Sequence, residues 1–479
     1  MAGEPTSAEG IRSGSRELLR ALSRYQVLAI VVGAVVGTGI YIRPASIAQL
    51  VGSEASILAV WLAAGILSLC GALTYSQLAM RHSGSGGEYR FLHATLGRMA
   101  AFLFGWMRLT IGPAVIAGLA VAFTVFLSDV TPIGGPWLHW NLPWGSGATY
   151  FDLGPRQAIA VSIIVGLAWI NCRGVRTAGG FQMAVTFCKV LGLLALICAI
   201  LILDHSQSVS FVALMPLTPP DALAVSAAIL AAMAAYNGWA NAAMLGDEIR
   251  EPARVLPWAL ICGVGFVTAL YLITNAAFLH VLPMQEIATA NSTAYPTAPS
   301  VASKAVRHVL GDRTAVALPL LFALSALGAA HCNLLAVPRV FFSMARDGLL
   351  PQSLAQVATH SGTPNRAIAT FAALGSVFAI LGSYDRLTNM TAFSFLLFYM
   401  LTAIGFLWSQ RAIRTSVGAT RFWMMIAAAT IFLLGSLWLI ITTILRGSIE
   451  TWTAVGLVGL GMPIFSLLEA LRRRSKALC

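Results

Sequence analysis

The chain has 479 residues, of which 58% are hydrophobic and only 10% are charged, and its mean hydropathy is +0.80. These values exclude a soluble globular protein and predict an all-α, polytopic membrane protein. The formal net charge is +12. Because most lysines and arginines fall in alternate loops, we interpret them as orientation signals and contacts with membrane lipids, and we expect no nucleic-acid partner.

Windows of about 20 apolar residues predict twelve transmembrane helices. They lie at 26–49, 55–80, 99–127, 156–171, 181–203, 222–246, 257–282, 315–345, 367–382, 390–408, 423–445 and 452–471. The first span is too long for a signal peptide, so we expect a retained tail at 1–25. Arginines are frequent in this tail, at Arg12, Arg16, Arg20 and Arg24. The positive-inside rule then predicts that both termini, including the tail at 472–479, are cytoplasmic in a bacterial-type inner membrane.

The first span contains Gly37, Thr38 and Gly39 about 18 Å from its start, near the middle of a bilayer. Glycine and threonine form helices poorly, and a broken helix survives in lipid only where it lines a cavity. The alternative is close helix packing, since small residues four apart, such as Gly33 and Gly37, are common at helix contacts.

A second interruption is predicted in span six, at Tyr236, Asn237, Gly238 and Trp239. Paired broken helices at the bilayer midplane are typical of transporter binding sites, which favours the cavity interpretation for both. Trp239 is too deep for the interfacial aromatic belt. It could close over a bound ligand, or it could pack as an ordinary core residue.

The cationic or titratable side chains that fall inside apolar spans include Lys189, Arg108 and His331. Lys189 lies about nine residues from the predicted cytoplasmic end of span five, and it must meet carbonyls, a carboxylate or water, or lose its proton. It could replace a bound sodium ion, carry a driving proton, or extend to the surface. Arg108 is expected to bind a carbonyl or a carboxylate near the inner surface. His331 could relay protons or form a structural hydrogen bond.

We predict no metal or cofactor site, and the chain shows no nucleophile and base at catalytic spacing, so an enzyme is not expected. The loop at 82–90 is rich in glycine, but no strand precedes it and no lysine follows as in a phosphate-binding loop, so we expect a tight turn. Seven cysteines lie in or beside apolar spans without a paired spacing and are interpreted as buried, unbridged residues.

With these residues in view, the chain resembles the amino acid–polyamine–organocation superfamily, and within it the prokaryotic relatives of the L-type amino-acid transporters. The matching segments occur in family order at 36–44 (VGTGIYIRP), 85–89 (SGGEY), 187–193 (FCKVLGL), 236–239 (YNGW), 247–252 (DEIREP) and 345–351 (ARDGLLP). The resemblance implies a LeuT-like fold of two inverted five-helix repeats, at 26–203 and 222–408, followed by two further helices at 423–471.

The resemblance also implies the function and the site. It implies a secondary active transporter of amino acids that works by alternating access, through sodium-independent exchange or proton-coupled uptake. Lys189 matches the lysine that replaces sodium in such transporters. The candidate substrate-binding residues are Val35, Gly37, Thr38, Gly39, Ile40, Tyr236, Asn237, Gly238 and Trp239. Helix amino termini attract the substrate carboxylate, and helix carboxyl termini attract its amine.

Three departures from the family pattern are visible. The segment 128–155 lacks the cysteine that tethers animal relatives to a heavy chain, so we predict no disulfide-linked partner. Arg43 follows the first break, where small or polar residues are usual, and Ala234 stands where many relatives have a gating aromatic. The alternatives are a polyamine or amine transporter, which would call for acidic residues at midplane, and a non-transporting amino-acid sensor.

Overall fold

The structure is a computed structural model that describes residues 17–142, 149–203, 221–292, 294–295, 298–311, 317–381, 384–409, 419–447 and 449–478. Arg12 and Arg16 of the predicted tail, and the terminal Cys479, lie outside the described residues. The six other cysteines are unbridged, as predicted, and Cys70 and Cys332 are buried. The expectation of burial is wrong for Cys188, Cys198 and Cys262, which are exposed, because an apolar thiol is also tolerated on the outer surface of an apolar span.

The first half of the chain forms eight helices and one hairpin. They are α1 (Arg24–Val35), α2 (Gly39–Val51), α3 (Glu54–Arg81), α4 (Glu88–Thr95), α5 (Arg98–Thr110), α6 (Gly112–Ser128), β1 (Leu138–Leu142), β2 (Thr149–Leu153), α7 (Pro155–Cys172) and α8 (Val175–Leu203). The predicted span 99–127 is thus two helices, α5 and α6, joined at Ile111. Pro113 lies in the first turn of α6, where a proline is tolerated because its missing amide would have no partner.

The second half is helical throughout its described part. It contains α9 (Ala222–Tyr236), two 3-10 helices (Trp239–Met244 and Gly246–Glu248), α10 (Pro252–Val281), α11 (Met284–Ala288), α12 (Val301–Leu310), α13 (Ala317–Ala336), α14 (Pro338–Arg346), a 3-10 turn (Gln352–Ala355), α15 (Asn365–Leu381), α16 (Tyr384–Ser409), α17 (Ala419–Arg446), α18 (Ile449–Gly459) and α19 (Gly461–Leu478).

Nine helical stretches within the described residues are long and apolar enough to cross a membrane. Three shorter apolar helices, Ala222–Tyr236, Asn365–Leu381 and Phe393–Ser409, fall at three other predicted spans. The described helices therefore agree with a multi-pass membrane protein.

The prediction of an all-α chain is wrong for the segment between α6 and α7. There β1 and β2 pair antiparallel, with Leu138 opposite Leu153 and Leu142 opposite Thr149. The strand β1 alternates apolar residues with polar ones, and β2 contains the adjacent aromatic residues Tyr150 and Phe151, both of which favour a strand. The apolar-window method detects only long continuous runs, so it passes over so short a hairpin.

The core brings the two predicted interruptions together at its centre. The helix α1 packs against α8 and α10, and α2 packs against α9. The helix α3 packs along α10, and α6 packs along α13. The contacts between α2 and α9 place the end of one interrupted helix beside the end of the other.

Candidate functional site at two helix breaks

The first break lies where it is predicted, between α1 and α2. Residues 36–38 leave the helical path, and α2 begins at Gly39 with Thr38 as a cap whose side chain makes no capping bond. Within the described part of the chain, the amides of Thr38, Gly39 and Ile40 donate to no acceptor. The amino terminus of α2 therefore offers free N–H groups and the positive end of the helix dipole, a combination that attracts anions.

The second break ends α9 at Tyr236. Asn237 is extended, with φ −64° and ψ 145°, and Gly238 has φ 118°, a left-handed conformation that strains any residue with a Cβ atom. The chain then continues as a 3-10 helix from Trp239 instead of the α-helix that the span 222–246 predicts. Hydropathy does not distinguish these helix types, which explains the difference.

The two breaks touch each other through glycines. A Cβ atom on Gly39 would lie 2.7 Å from the Cβ atom of Ala235 at the end of α9. A Cβ atom on Gly238 would lie 2.8 Å from the carbonyl oxygen of Ala34 at the end of α1. Real Cβ atoms do not approach so closely, so glycine is required at both positions for the interrupted segments to meet.

Lys189, on α8, bridges the first break to another helix. Its fully buried ammonium donates to the carbonyl oxygens of Gly33 at 2.8 Å and Val36 at 2.6 Å, and to that of Ser325 on α13 at 3.4 Å. The break frees the carbonyls of Gly33 and Val36, because no intrahelical amide reaches them. The alternative in which Lys189 extends to the surface is wrong, since its side chain ends at the break.

Two tyrosines that the sequence analysis did not identify also hold the breaks. The hydroxyl of Tyr271 on α10 lies 2.9 Å from the carbonyl oxygen of Val35 and 3.3 Å from that of Ala235. Its single proton is shared between these two acceptors, which ties both breaks together. The hydroxyl of Tyr399 on α16 donates to the side-chain oxygen of Asn237 at 2.9 Å. A tyrosine at mid-span is the only sequence signal for either.

The predicted site residues fall into two groups by burial. Gly37, Gly39, Asn237 and Gly238 are partly exposed, and so is Ala234 one turn before the second break. Both breaks therefore retain solvent-accessible residues, although residues beside them such as Val36, Thr38 and Trp239 are buried. This is the place where a small solute can reach backbone groups.

The remaining predicted residues are buried: Val35, Thr38, Ile40, Tyr236 and Trp239. The indole of Trp239 packs on Tyr75 at 4.9 Å between ring centroids and stacks on Tyr399 at 5.4 Å. These contacts are the ones expected if Trp239 packs as an ordinary core residue. A role for Trp239 in closing over a ligand stays a prediction.

Arg108 and His331 lie outside the break region. Arg108 is buried and its guanidinium lies 4.5 Å from the ring centre of Phe395. The predicted tie of Arg108 to a carbonyl or a carboxylate stays a prediction. The Nδ1 atom of His331 lies 2.8 Å from the side-chain oxygen of Gln182. This contact is the structural hydrogen bond that the sequence left open, and a proton relay stays a prediction.

One end of the bundle is closed by a buried ion pair. Arg339 on α14 donates from Nε and Nη2 to the two carboxylate oxygens of Glu248, both at 2.7 Å, and both side chains are fully buried. The carbonyl of Glu248 accepts from the amides of Ala21 and Leu22, which precede α1. The segment after the second break is thus fixed both to α14 and to the chain before the first break.

The glycine-rich loop contributes to the same closure. The amide of Ser85 donates to the carboxylate of Asp247 at 2.9 Å, and that of Gly86 donates to the carbonyl of Met244 at 2.9 Å. The hydroxyl of Ser343 on α14 donates to the carbonyl of Ser85 at 2.7 Å. The loop therefore packs against the protein itself, in agreement with the predicted turn.

No group of three or more histidine, cysteine, aspartate or glutamate residues within the described ranges is arranged to hold a metal ion. The chemistry of the break region is instead that of free amides at the start of α2, of carbonyls at the ends of α1 and α9 that face side chains instead of helix amides, and of one buried ammonium. Such an arrangement can bind a small zwitterion, because its negative and positive groups each meet the opposite end of a helix.

Comparison with known proteins supports this interpretation of the site. A family model described as "Amino acid permease" matches residues 22–464. The chain is 29% identical to the serine/threonine exchanger SteT of Bacillus subtilis (strain 168), over 78% of this chain and 80% of that protein. It is 27% identical to the human cystine/glutamate transporter, over 82% and 74%. It is 29% identical to the mouse large neutral amino acids transporter small subunit 2, over 84% and 73%.

The match to the family model covers most of the chain and includes both breaks, Lys189 and the Glu248–Arg339 pair. The relatives are named as transporters or exchangers of amino acids, and none of these names is that of an enzyme. The chain therefore belongs to the amino acid permease family, as a membrane transporter of amino acids.

Proposed function

We propose that the protein exchanges α-amino acids across a bacterial-type inner membrane, independently of sodium, by alternating access. In this proposal it crosses the membrane twelve times with both termini in the cytoplasm. Residues 26–203 and 222–408 form two inverted five-helix repeats, and 423–471 adds two helices. The abutting breaks in the first and sixth spans support this arrangement, because inverted repeats bring corresponding interrupted helices to one site.

The observation that carries sodium independence is the position of Lys189. Its ammonium occupies a nest of carbonyls from Gly33, Val36 and Ser325, the kind of oxygen cluster in which a monovalent cation is bound. A fixed cation satisfies these carbonyls without any ion entering or leaving. The transport cycle then needs no sodium, and exchange of one amino acid for another becomes the simplest cycle.

Recognition in this proposal uses the atoms that all α-amino acids share. The substrate carboxylate binds the free amides of residues 38–40, and its amine binds carbonyls at the ends of α1 and α9. Since the carbonyl of Val35 already accepts from Tyr271, the 236–238 break supplies the more available oxygens. The relatives' names include serine, threonine, cystine, glutamate and large neutral amino acids, which share only these atoms.

Alternating access requires one end of the site to be closed while the other is open. The pair of Glu248 and Arg339, with the bonds from Ala21 and Leu22, is the proposed cytoplasmic closure. Opening toward the cytoplasm moves the segment after the second break away from α14. We expect no disulfide-linked partner, because 128–155 contains no cysteine.

The test is counterflow in proteoliposomes made from purified protein. Vesicles loaded with a mixture of common amino acids are diluted into each labelled amino acid in turn, in sodium and in choline buffer, with and without a pH gradient. We expect a subset of labels to accumulate equally in both buffers. Dependence on the pH gradient without internal amino acid would instead indicate proton-coupled uptake.

The control is Arg254→Gln, which removes an exposed cation whose ion pair, in the described part of the chain, is with Glu251 three residues earlier. We expect it to transport like the wild type. If no amino acid accumulates although the protein is folded and monodisperse, the amino-acid assignment is wrong, and labelled polyamines are tested next.

A further inference from the structure

A cavity of about 410 Å³ lies away from the breaks, at the same end of the bundle as the Glu248–Arg339 pair. Its wall is formed by the join of α4 and α5, the end of α14 and the last turns of α19. Its size is at the lower end of the range for small-ligand pockets. Neither the proposed substrate path nor the family match assigns a role to it.

The cavity is basic. Three arginines line it, Arg98, Arg346 and Arg472, with His93 and a single carboxylate, Asp347. That carboxylate already accepts a hydrogen bond from the hydroxyl of Tyr89 at 2.6 Å. The lining therefore has an excess of positive charge, and the ligand that it fits is an anion.

The arginines differ in how far they are already paired. Arg98 forms an ion pair with Glu469 on α19 at 2.9 Å, which holds α5 and α19 together. Arg346 lies 5.7 Å from the ring centre of Phe342, and neither it nor Arg472 forms an ion pair with a carboxylate in the described ranges. Two guanidinium groups thus retain donors for an oxyanion, for which their planar fork is well suited.

An exposed apolar face of α19 extends to this cavity. Its span is the least enclosed of the nine, with only 17% of the residues in its apolar window buried. Leu467 and Leu471 are 60% and 54% exposed, and their spacing of four places them on one helix face. Arg472 follows directly, so an exposed apolar face meets a basic cavity.

We propose that this cavity binds the phosphate headgroup of an anionic phospholipid, whose acyl chains lie along α19. The phosphate oxygens accept from Arg346 and Arg472, as expected for basic pockets between helices on the cytoplasmic side. The lipid orientation rests on the proposed function, in which this end is cytoplasmic. Free inorganic phosphate offers the same oxyanion without the chains, and the test separates the two.

The experiment is native mass spectrometry of the full chain, released from detergent after titration with phosphatidylglycerol, phosphatidylcholine or inorganic phosphate. We expect one phosphatidylglycerol to be retained with an affinity at least about tenfold above that of phosphatidylcholine, equivalent to about 1.4 kcal/mol. The double variant Arg346→Gln/Arg472→Gln should abolish this preference.

The matched control is Arg473→Gln/Arg474→Gln, which removes the same charge from exposed neighbours that do not line the cavity. It should keep the preference. Equal loss in both double variants would overturn the site in favour of diffuse charge attraction. Phosphate binding as tightly as phosphatidylglycerol, or no preference in the wild type, would overturn the lipid assignment.

The mass-spectrometric assay measures lipid binding without transport, so its result does not depend on the proposed exchange. Counterflow is measured in vesicles of pure phosphatidylcholine, so that exchange is tested without an anionic lipid. A protein that retains phosphatidylglycerol but moves no amino acid contradicts the proposed function alone. A protein that exchanges amino acids but shows no lipid preference contradicts this inference alone.

Discussion

Lys189 and Arg339 are both fully buried cations, and the protein satisfies them in opposite ways. Lys189 meets only backbone carbonyls, so its positive charge is not neutralised by a carboxylate. Arg339 meets the carboxylate of Glu248 through two parallel hydrogen bonds, and the pair is neutral. Lys189 therefore places a net positive charge beside the first break, whereas Glu248 and Arg339 join two elements without a net charge.

The comparison is tested most strongly by removing one partner of the neutral pair. Arg339→Gln leaves the Glu248 carboxylate buried without its cation, and such a loss typically costs about 3–5 kcal/mol. We expect a clear fall in the midpoint of thermal unfolding in detergent. In Glu248→Gln/Arg339→Gln no charge is left unpaired, so much of that midpoint should return. If the double variant is as unstable as the single one, the pair is not an independent electrostatic unit.

Lys189→Ala tests the other member of the comparison. Loss of the ammonium leaves two or three carbonyls without donors, at about 1–3 kcal/mol for each buried group. We expect the initial rate of amino-acid counterflow to fall by more than about tenfold. Because its partners are backbone atoms, no second side-chain substitution should restore exchange. Normal counterflow by a folded Lys189→Ala would contradict the fixed-cation role.

The contact between the two breaks gives a smaller effect. Gly39→Ala would force a Cβ atom within 2.7 Å of Ala235, and overpacking of this kind costs about 1–3 kcal/mol. We expect slower counterflow and a lower unfolding midpoint. The control is Gly180→Ala on α8, where a Cβ atom meets open space and exchange should be unchanged. Equal behaviour of the two variants would show that the breaks can separate freely.

Tyr271→Phe should have the smallest effect. It removes the hydroxyl that donates to Val35 and Ala235 but keeps the ring, and one hydrogen bond contributes about 1 kcal/mol. We expect a few-fold rise in the substrate concentration that half-saturates counterflow, with little change in unfolding. An effect as large as that of Lys189→Ala would mean that Tyr271, and not the lysine, is the main support of the break.

The sequence predicted the parts of this site that depend on local chemistry. Two glycines and a threonine at mid-span predicted the first break, and Asn237 with Gly238 predicted the second. A lysine deep in an apolar run predicted the buried cation. The sequence could not identify the side chains that hold the breaks. Tyr271 and Val35 are 236 positions apart, and a tyrosine in an apolar span is common. The pairing of Glu248 with Arg339 was missed for the same reason.

Glu248 holds two different elements at once, through its side chain to Arg339 and through its carbonyl to Ala21 and Leu22. One displacement of this residue must therefore release both. Opening of this end is expected to be cooperative, with several bonds broken before any new ones form. Such a step has a large activation enthalpy, so the rate of exchange should rise more steeply with temperature than the affinity for the amino acid changes.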